Sequence, residues 1–600
     1  MKSILEEISK RVTAAIRELG VEGDPLVRAA QDDKFGDYQS NCAMGLAKKL
    51  GRPPRDVAAD LIEKLDVADL CGTPQIAGPG FINLKMRTDF LARTLESVPS
   101  AGAPDGERMG IPRATEPETV VVDLSSPNLA KEMHVGHLRS TVIGDCVARV
   151  LEFFGHDVHR LNHVGDWGTQ FGMLVAHLRE VRPDVARDPE KLVISDLEAF
   201  YVEAKGHFDA DQAFRETARK TVVALQGGDE DTLRLWRAFC AESLRHCHAI
   251  YDRLGVKLLD RGESFYNDLM NALMTRLEGA PAPDGSPLLV ESEGAMCIFP
   301  KGFTTRDGDP LPMIMRKSDG GFNYNTSDLA ALLHRVEELK ATRLVYVVGL
   351  GSGNKEHFEM LFGCARMTGW VPEGVRLEHL GFGNMLAADG RPFKTREGGT
   401  IKLKDLLDKA VVRAREVVAG QTSGDDGRAK FDNAEIDEIA ETIGIGAIKY
   451  FDFCHSLNTD YKFDLDTMLS LEGNTAPYLQ YAYARIRSIA RKAEIAFEDL
   501  PADTPLLLEH PAEIRLARTI ARLPDTLGPI AEQLKPNLLT DYLYELSKAF
   551  SRFYDRKLGV RVIDASPDEV RLSRLRLCDL TARTLRLGLE LLGIGVVERM

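Results

Sequence analysis

The chain has 600 residues and a formal net charge of −15 at pH 7, with 44% hydrophobic and 28% charged residues. This length exceeds what one hydrophobic core supports, so we expect several domains in a soluble globular protein. No run approaches the roughly 18 apolar residues of a membrane span, and the amino-terminal stretch mixes both charge signs, which excludes a secretion signal. Nine cysteines without CxxC spacing indicate reduced thiols in a cytoplasmic protein.

The first hundred residues predict a compact α+β domain. Apolar residues recur at helical spacing over 4–19, and further helical stretches, the first at 40–50, lead to a strand-like segment at 76–86. A polar segment rich in glycine and proline follows at 100–119. Its composition is typical of a linker.

A doubly wound, mainly parallel α/β domain is predicted next. The apolar run VVVDLSSPN ends in turn formers and precedes a helical stretch at 135–154, after which a second strand is expected within 156–168. Residues 173–288 are mostly amphipathic helix with no obvious sheet, which we interpret as part of an insertion. Strand-like segments return at AMCIFP, MIMRKS, RLVYVVG and RLEHLGFG.

The carboxyl-terminal part of the chain is almost wholly helical by periodicity and follows a loop at 419–433. We therefore expect a helical bundle there. The predicted domains are an α+β domain (1–105), a linker (106–118), the doubly wound domain (119–385, insertion about 173–300), a connection (386–433) and the bundle (434–600).

The most informative stretch is SSPNLAKEMHVGHLRST. His134 and His137 stand at the start of a predicted helix, where free backbone N–H groups favour phosphate. Two imidazoles there can donate hydrogen bonds to phosphate oxygens as pyrophosphate leaves, and Gly136 lets a nucleotide approach the backbone. HxGH alone also fits two histidines capping a turn, whereas a zinc site lacks further ligands at metal spacing. Lys131, the hydroxyls of Ser125 and Ser126 and the amide of Asn128 crowd the same strand end and favour a ligand site.

HVGH resembles the HIGH signature of class I aminoacyl-tRNA synthetases. The longer SSPNLAKEMHVGHLRST, and NHVGDWGTQFG, resemble the arginyl-tRNA synthetase family in particular. Other matching stretches are FGDYQSN, AGPGFINL, GIGAIKYFDF, LEGNTAPYLQYAYARIRS and VERM. Because they run from the first domain to the last residue, the resemblance covers essentially the whole chain. It implies a Rossmann-type catalytic domain, an amino-terminal domain that binds the tRNA corner, a stem-contacting connection and an anticodon-binding bundle.

The second class I signature, a KMSKS-like loop that clamps the ATP phosphates, is replaced by AADGRPFKTREGGTIKLKDLL. Alone, its GRPFKTREGG part fits either a mobile cationic loop or an exposed hairpin. The resemblance implies that Lys131 supplies the missing charge. It further implies catalytic roles for His134, His137, Lys131, Lys394 and Arg396, with ATP held by His134, Gly136, His137, Lys394 and Met385.

A guanidinium pairs best with a carboxylate in bidentate geometry. Tyr324 and Asp328 lie four residues apart and would share a helix face, although Asp328 alone also fits a helix amino cap. The resemblance implies that both hold the arginine side chain, with Asp328 on the guanidinium. It also implies that Asp123, Ser126 and Asn128 contact the amino and carboxylate end of the substrate.

The chain departs from the family at one pocket position. In the family, a glutamine usually stands shortly before a His-Phe pair, here His357-Phe358, that follows the YVV strand. The corresponding run VYVVGLGSGNKEHFEML contains no glutamine and is about two residues longer than in the family. Asn354 occupies the glutamine position counted back from His357, and Ser352 occupies it counted forward from the preceding strand. Either side chain could replace one hydrogen bond of the missing glutamine. The residues leave this choice open, and the affinity for arginine is expected to differ accordingly.

The negative net charge argues only weakly against nucleic acid, because local basic surface governs phosphate binding. Eight basic and four acidic residues over 556–586 fit either such a surface or a solvated helix face. Tyrosines over 478–483 precede a basic run, which suits stacking on unpaired bases but equally a core stripe. The resemblance places tRNA contacts at Phe35, Gln39, Tyr481, Tyr554 and Met600.

The resemblance thus implies a cytoplasmic, monomeric arginine–tRNA ligase that takes Mg-ATP, L-arginine and tRNA(Arg), without a tightly bound cofactor, resident metal or membrane partner. It implies that the first step requires bound tRNA. Three alternatives stay open. A small-molecule nucleotidyltransferase shares HxGH but has no use for the helical tail, and an RNA-binding paralogue would normally have lost the histidines or the cationic loop. The third is a synthetase for another amino acid.

Overall fold

The computed structural model describes residues 1–351, 353–387, 389–391, 401–421, 431–555, 557 and 560–600. Contacts divide the chain into two compact units, a smaller unit of Met1–Arg113 with Ser470–Met600, and a larger unit of Ala114–Leu469. Within the described residues, no helix is long and apolar enough to cross a membrane. The units reflect contact density, so the functional domain boundaries given above stay a prediction.

The helices and strands follow one another along the whole chain. The helices are α1 (Ile4–Glu18), α2 (Cys42–Leu50), α3 (Pro54–Lys64), α4 (Thr88–Glu96), α5 (Gly136–Phe153), α6 (Thr169–Val181), α7 (Pro183–Arg187), α8 (Leu197–Ala210), α9 (Gln212–Gln226), α10 (Glu230–Leu254), α11 (Asn267–Glu278), α12 (Tyr324–Glu337), α13 (Asn354–Met367), α14 (Leu403–Gln421), α15 (Asn433–Phe453), α16 (Leu465–Met468), α17 (Ala476–Lys492), α18 (Pro511–Ala521), α19 (Leu523–Gln533), α20 (Asn537–Phe553) and α21 (Asp568–Leu591). The strands are β1 (Val27–Ala29), β2 (Tyr38–Ser40), β3 (Gln75–Ala77), β4 (Phe81–Leu84), β5 (Thr119–Asp123), β6 (Asp157–Asn162), β7 (Leu259–Asp260), β8 (Val290–Ser292), β9 (Ala295–Ile298), β10 (Met313–Arg316), β11 (Arg343–Tyr346), β12 (Arg376–His379), β13 (Met385–Leu386) and β14 (Tyr461–Lys462).

The larger unit contains a five-stranded parallel sheet in the order β12-β11-β5-β6-β7. The chain winds outward from β5 in both directions, which confirms the doubly wound prediction. The apolar runs of β5 and β11 are buried almost throughout, as expected for central parallel strands covered on both faces. Ligands bind such sheets at the carboxyl ends of the strands where the winding reverses, here between β5 and β11.

Two strand predictions need correction in this unit. The segment at 173–288 was expected to lack sheet, yet β7 pairs with β6 at the edge of the parallel sheet. A strand of two residues is too short to leave a periodic signal. The AMCIFP and MIMRKS segments do form strands, but β9 and β10 build a separate antiparallel sheet with β8.

The helical insertion is confirmed as a group of helices, α6 to α11. Gly172 shows how closely α6 lies against α9, because a Cβ there would come within 2.3 Å of a Val222 methyl carbon. A larger residue would therefore push the two helices apart.

The smaller unit combines the antiparallel sheet β1-β2-β4-β3 with the helices α17 to α21. The single strand predicted at 76–86 is a hairpin, in which β3 and β4 are joined by a turn with Gly78 at φ 53° and Gly80 at φ 143°. The start of the predicted linker contacts α21, where Arg583 Nη2 donates to the carbonyl of Gly106 and to that of Pro99 just before the linker.

Candidate active site

The two signature histidines lie at the amino end of α5, with ring centroids 4.0 Å apart. His134 Nδ1 accepts a hydrogen bond from the Gly136 amide at 3.1 Å, and His137 Nδ1 accepts one from the His134 amide at 3.1 Å. Because each Nδ1 is an acceptor, the proton of each neutral ring is on Nε2. Both rings are therefore oriented as Nε2–H donors.

Both histidines are neutral at pH 7. Burial lowers the pKa of His137 to about 3, with a further contribution from His134. Burial also lowers the pKa of His134, and the nearby Lys131 adds to this effect. The two histidines can thus donate hydrogen bonds to phosphate but add no positive charge. Neutralisation of the phosphate charge therefore depends on other side chains.

Gly136 is required by the packing of the first histidine. A Cβ at this position would lie 2.8 Å from Cε1 and 2.9 Å from Nδ1 of His134. The imidazole folds back over the helix start only because residue 136 has no side chain.

The loop that precedes the histidines is tied to the insertion. Lys131 Nζ lies 4.4 Å from the ring centroid of Tyr201 on α8, a cation–π contact. The neighbouring Glu132 carboxylate accepts a hydrogen bond from the Leu197 amide, the first residue of α8, at 3.2 Å. The amino end of α8 therefore positions the lysine that was predicted to supply charge.

The segment that follows the predicted cationic loop is also anchored beside the histidines. The Val135 amide donates to the Ile401 carbonyl at 3.1 Å, and the Leu403 amide donates to the Met133 carbonyl at 2.9 Å. One end of that loop is therefore fixed at the start of α5. Three candidate residues lie outside the described residues, namely Ser352, Lys394 and Arg396.

The strand end next to the histidines is conformationally strained. Ser125 and Ser126 have φ values of 68° and 52°, the left-handed region that non-glycine residues rarely adopt. Thr141 Oγ1 on α5 donates to Ser125 Oγ at 2.9 Å, and the Ser125 amide donates to Ser140 Oγ at 2.9 Å. Strain of this kind is typical of functional loops and is held here by α5 itself.

Asp328 on α12 lies among aromatic and histidine side chains. Its Oδ2 is 2.7 Å from His357 Nε2, and its Oδ1 is 4.0 Å from His163 Nε2. The Tyr324 ring, one turn earlier, lies 5.1 Å from the His357 ring. The cap of α12 is Asn323, so Asp328 does not serve as the helix cap. Its carboxylate is therefore left to side-chain and ligand contacts.

A buried ion pair joins α12, the helix of Asp328, to the end of β5. Arg335 Nη2 lies 2.7 Å from Asp123 Oδ2, with both side chains buried. The same guanidinium is 3.5 Å from His163 Nδ1, and Ser126 Oγ donates to Asp123 Oδ1 at 3.0 Å. Asp123 and Ser126 thus lie together, and the His163 ring, whose Nε2 is 4.0 Å from Asp328 Oδ1, lies between Arg335 and Asp328.

The remaining predicted pocket residues hold the surrounding loops. Asn128 Oδ1 accepts from the Ala130 amide at 3.0 Å and from Gln170 Nε2 at 2.9 Å. Asn354 Nδ2 donates to the Gly349 carbonyl at 2.9 Å, beyond the end of β11. Met385 is buried in β13. The roles predicted for these three in ligand binding stay predictions.

The sequence prediction did not include several side chains around Asp328. They are His163, Arg335, His357 and Glu263. Burial raises the pKa of Glu263 to about 7, with further contributions from the charges of Asp328 and Asp166. A carboxyl group in such surroundings is suited to a cationic ligand. His163 stood within the matching stretch NHVGDWGTQFG, and His357 within the HF pair next to the departing pocket position, which were the signals available for them.

The predicted tRNA residues of the amino-terminal region differ in exposure. Phe35 is half-buried, with Lys34 Nζ 4.8 Å from its ring centroid. Gln39 is buried in β2, where its Nε2 donates to Asn83 Oδ1 at 2.8 Å. Phe35 therefore presents part of its ring to solvent, while Gln39 is engaged within the sheet.

The tyrosines of α17 are divided between surface and core. Tyr481 is 41% exposed, whereas Tyr483 is buried and donates to Glu598 at 2.9 Å. Tyr554 is half-buried, with the Arg485 guanidinium 5.0 Å from its ring centroid, and Met600 is also partly exposed. The stripe thus contains both a core face and an exposed aromatic surface.

Comparison with known proteins gives matches along the whole chain. The family described as tRNA synthetases class I (R), catalytic domain, matches residues 104–465. The DALR anticodon binding domain matches 479–600, and the arginyl tRNA synthetase N terminal domain matches 5–86. The doubly wound sheet, the histidine pair and these matches define a class I aminoacyl-tRNA synthetase.

Individual relatives narrow the class. An arginine–tRNA ligase of Nostoc sp. is 50% identical over 595 residues, covering 99% of this chain and 98% of the relative. One of Crocosphaera subtropica is 48% identical over the full length of both. The chain belongs to the arginyl-tRNA synthetase family. The Plasmodium falciparum arginyl-tRNA synthetase structure superimposes with a TM-score of 0.85 at 32% identity, covering both chains completely. The Thermus thermophilus structure shares the fold, with a TM-score of 0.80 at 24% identity over the same coverage.

Proposed function

We propose that the protein ligates L-arginine to tRNA(Arg) with Mg-ATP as the second substrate. A carboxylate oxygen of arginine attacks the α-phosphorus, the bond from this phosphorus to the bridging oxygen breaks, and pyrophosphate leaves. A hydroxyl of the terminal ribose of the tRNA then attacks the carbonyl carbon of arginyl-adenylate, loses its proton, and AMP leaves. The observation that carries the proposal is the position of His163 between the Arg335–Asp123 ion pair and Asp328, which puts the Asp328 carboxylate near the strand end that precedes the histidine pair.

The protonation state of the histidines suits hydrogen bonding to phosphate oxygens. As neutral Nε2–H donors, His134 and His137 can bind phosphate oxygens whose charge increases in the transition state. They supply no net charge, so the cations are assigned to Lys131 and to Lys394 and Arg396 of the loop. In-line displacement then depends on positioning and charge stabilisation rather than on a covalent nucleophile.

The pocket around Asp328 suits a guanidinium. We assign the planar cation to Asp328 and Tyr324, with Asn354 or Ser352 supplying one further hydrogen bond. Asp123, Ser126 and Asn128 are assigned to the amino and carboxylate end. The ion pair with Arg335 offsets the charge of Asp123, so Asp328 supplies negative charge to the pocket, and Glu263, with its pKa of about 7, adds to it when ionised.

The other assignments concern partners and location. Phe35, Gln39, Tyr481, Tyr554 and Met600 are the proposed tRNA contacts. We further propose a monomer in the cytoplasm, where the nine free cysteines would stay reduced.

The decisive experiment is a charging assay with each of the twenty amino acids on bulk tRNA. We expect ATP-dependent charging with arginine alone, and arginine-dependent pyrophosphate exchange only when tRNA is present. Charging with another amino acid would refute the specificity. Nucleotidyl transfer without any RNA would favour a small-molecule nucleotidyltransferase, and the absence of all ATP chemistry would indicate an RNA-binding paralogue.

Arginine binding should depend on pH through Glu263. Its pKa of about 7 lies above that of a free carboxyl, and a bound guanidinium favours the ionised form, so binding below this pKa must release a proton. We expect the KM for arginine to rise by up to about tenfold per pH unit as the pH falls from roughly 7 to roughly 6, with little change above it. Glu263→Gln should flatten this dependence, and an unchanged profile in that variant would exclude Glu263 as its source.

A further inference from the structure

A helix of the insertion, α10, places a buried tyrosine beside the strained strand end. Tyr251 is fully buried, and its hydroxyl oxygen lies 2.8 Å from Ser125 Oγ. Ser125 and Ser126 have φ values of 68° and 52°, a region that residues with a Cβ rarely adopt. Side chains of α5 already hold this backbone, and Tyr251 adds a contact from a second helix.

Asn162, the last residue of β6, holds the second strained residue. Its Oδ1 accepts a hydrogen bond from the Ser126 amide at 2.9 Å. Its Nδ2 donates to the Tyr251 hydroxyl at 3.3 Å and to Asp260 Oδ1 at 2.8 Å. The orientation of the amide is fixed, because its oxygen faces an N–H group and its nitrogen faces a carboxylate. Asn162 therefore joins the strained backbone to the tyrosine and to β7.

The hydrogen bonds of this network have a defined direction. The Tyr251 hydroxyl accepts from Asn162, so its own proton is assigned to Ser125 Oγ. Asp260 is anchored in turn by α10, since its Oδ2 lies 2.7 Å from Nε2 of His248, three residues before the tyrosine. The helix thus contacts the network at two points. Buried and connected in this way, the network leaves the two serines little freedom to move.

The strained residues lie where the proposed substrate end would bind. Ser126 Oγ donates to Asp123 Oδ1 at 3.0 Å, and both residues are assigned above to the amino and carboxylate end of arginine. A left-handed backbone at such a position persists only when the surrounding structure holds it. The side chains of Tyr251 and Asn162 provide that support, although neither is assigned to a ligand.

We propose that Tyr251 and Asn162 are positioning residues, which hold the left-handed backbone of residues 125 and 126 so that Ser126 meets the amino and carboxylate end of arginine. This inference rests on the proposed function and gives the insertion a part in the site. The two side chains act through the serines and touch no substrate. Loss of either contact should therefore weaken the use of arginine while the binding of ATP and tRNA is retained.

The first test is Tyr251→Phe in the full-length protein, which keeps the buried ring and removes only the hydroxyl. We expect kcat/KM for arginine to fall by about tenfold, because a small displacement of a group that positions the substrate is costly. The KM for arginine should rise and adenylate formation should slow, with the KM for ATP and the Kd for tRNA within about twofold of wild type. Tyr542→Phe, which removes a buried hydroxyl of α20, is the matched control.

Asn162 is tested by an exchange with its neighbour. Asn162→Asp keeps an acceptor for the Ser126 amide but places a second carboxylate beside Asp260, where the contact is now 2.8 Å. Repulsion should lower kcat/KM for arginine at least about tenfold. Adding Asp260→Asn restores an amide–carboxylate hydrogen bond at this contact and should recover most of the loss, and it keeps the test valid if the single variant is unstable.

Ser125 distinguishes a role in backbone conformation from a role in packing. Ser125→Ala and Ser125→Gly both lose Oγ, but only glycine adopts a φ of 68° without steric cost. We expect Ser125→Gly to retain a kcat/KM for arginine about fivefold or more above that of Ser125→Ala. Adding Tyr251→Phe to either variant should change little, since the contact between the two side chains is already lost.

The outcomes separate this inference from the proposed function. Wild-type arginine kinetics in Tyr251→Phe, while the wild type charges tRNA with arginine, would overturn the positioning role alone. A loss that affects ATP, tRNA and arginine equally, or that also occurs in Tyr542→Phe, would overturn it too, because the hydroxyl would then serve general stability. Equal activity of the alanine and glycine variants at position 125 would exclude a role through the backbone. If the wild type failed to charge tRNA with arginine, the proposed function itself would be wrong.

Discussion

Asp328→Asn is expected to lower kcat/KM for arginine by about 10²–10³-fold, since removing one charge from a desolvated hydrogen-bonded pair costs roughly 2–5 kcal/mol. The substitution keeps the shape of the side chain but removes the charge that faces the guanidinium. It also weakens the contact to His357, now 2.7 Å from Oδ2. Tritiated-arginine charging at saturating ATP and tRNA measures the effect.

Citrulline provides the sharper comparison, because it has the shape of arginine without its charge. The wild type should reject citrulline. Asp328→Asn should lower the ratio of kcat/KM for arginine to kcat/KM for citrulline by about 10²-fold. The tRNA dissociation constant should stay unchanged. Glu338→Gln, which removes an exposed charge at the far end of α12, is the matched control. Arginine activation within threefold of wild type in Asp328→Asn would show that the guanidinium binds elsewhere.

Much of the fold could be predicted because its central strands leave a plain signal. The VVV run of β5 and the LVY run of β11 are continuous and apolar, and both strands are buried in the parallel sheet. The short β9 and β10 segments look similar in composition, yet they pair antiparallel in another sheet. Partner choice for short strands is decided by tertiary contacts, which local pattern does not contain.

The candidate site was predictable where one segment carries several of its residues. The HxGH pair and Lys131 lie within seven residues, and the structure brings them to one helix end. The geometry of the pair was not predictable, because the tautomers depend on backbone hydrogen bonds. Likewise, the close packing of Gly136 against the His134 ring is set by the conformation of the folded loop, which the sequence pattern does not contain.

The side chains that surround Asp328 could not be predicted from the sequence, because they come from distant segments of the chain. His357, which contacts Asp328, lies 29 residues away from it in the chain. Arg335 contacts His163, which lies 172 residues away from it. Arg335 stands at the end of a helix, where a cation ordinarily remains in solvent, yet it is wholly buried against Asp123. The raised pKa of Glu263 likewise depends on burial beside other carboxylates.

His137→Asn is expected to lower kcat for arginyl-adenylate formation by about 10²–10³-fold, the usual effect of removing one preorganised donor to a developing negative charge. Asparagine retains an acceptor near the position of Nδ1, which holds the His134 amide at 3.1 Å, but it lacks the Nε2–H. Single-turnover formation of the adenylate with bound tRNA measures the step directly. His137→Gln places an amide nitrogen near the lost Nε2 and should recover part of the rate.

The distribution of the effect between kcat and KM decides what the histidine does. A donor that acts on charge developing at the phosphate lowers kcat and leaves the KM for ATP within a few-fold. Because the pKa of His137 is depressed to about 3, the wild-type rate should show no ionisation of this residue between about pH 6 and about pH 9. A variant with normal kcat and a raised KM for ATP would make His137 a ground-state contact, and the charge stabilisation would then belong to the lysine and arginine side chains around it.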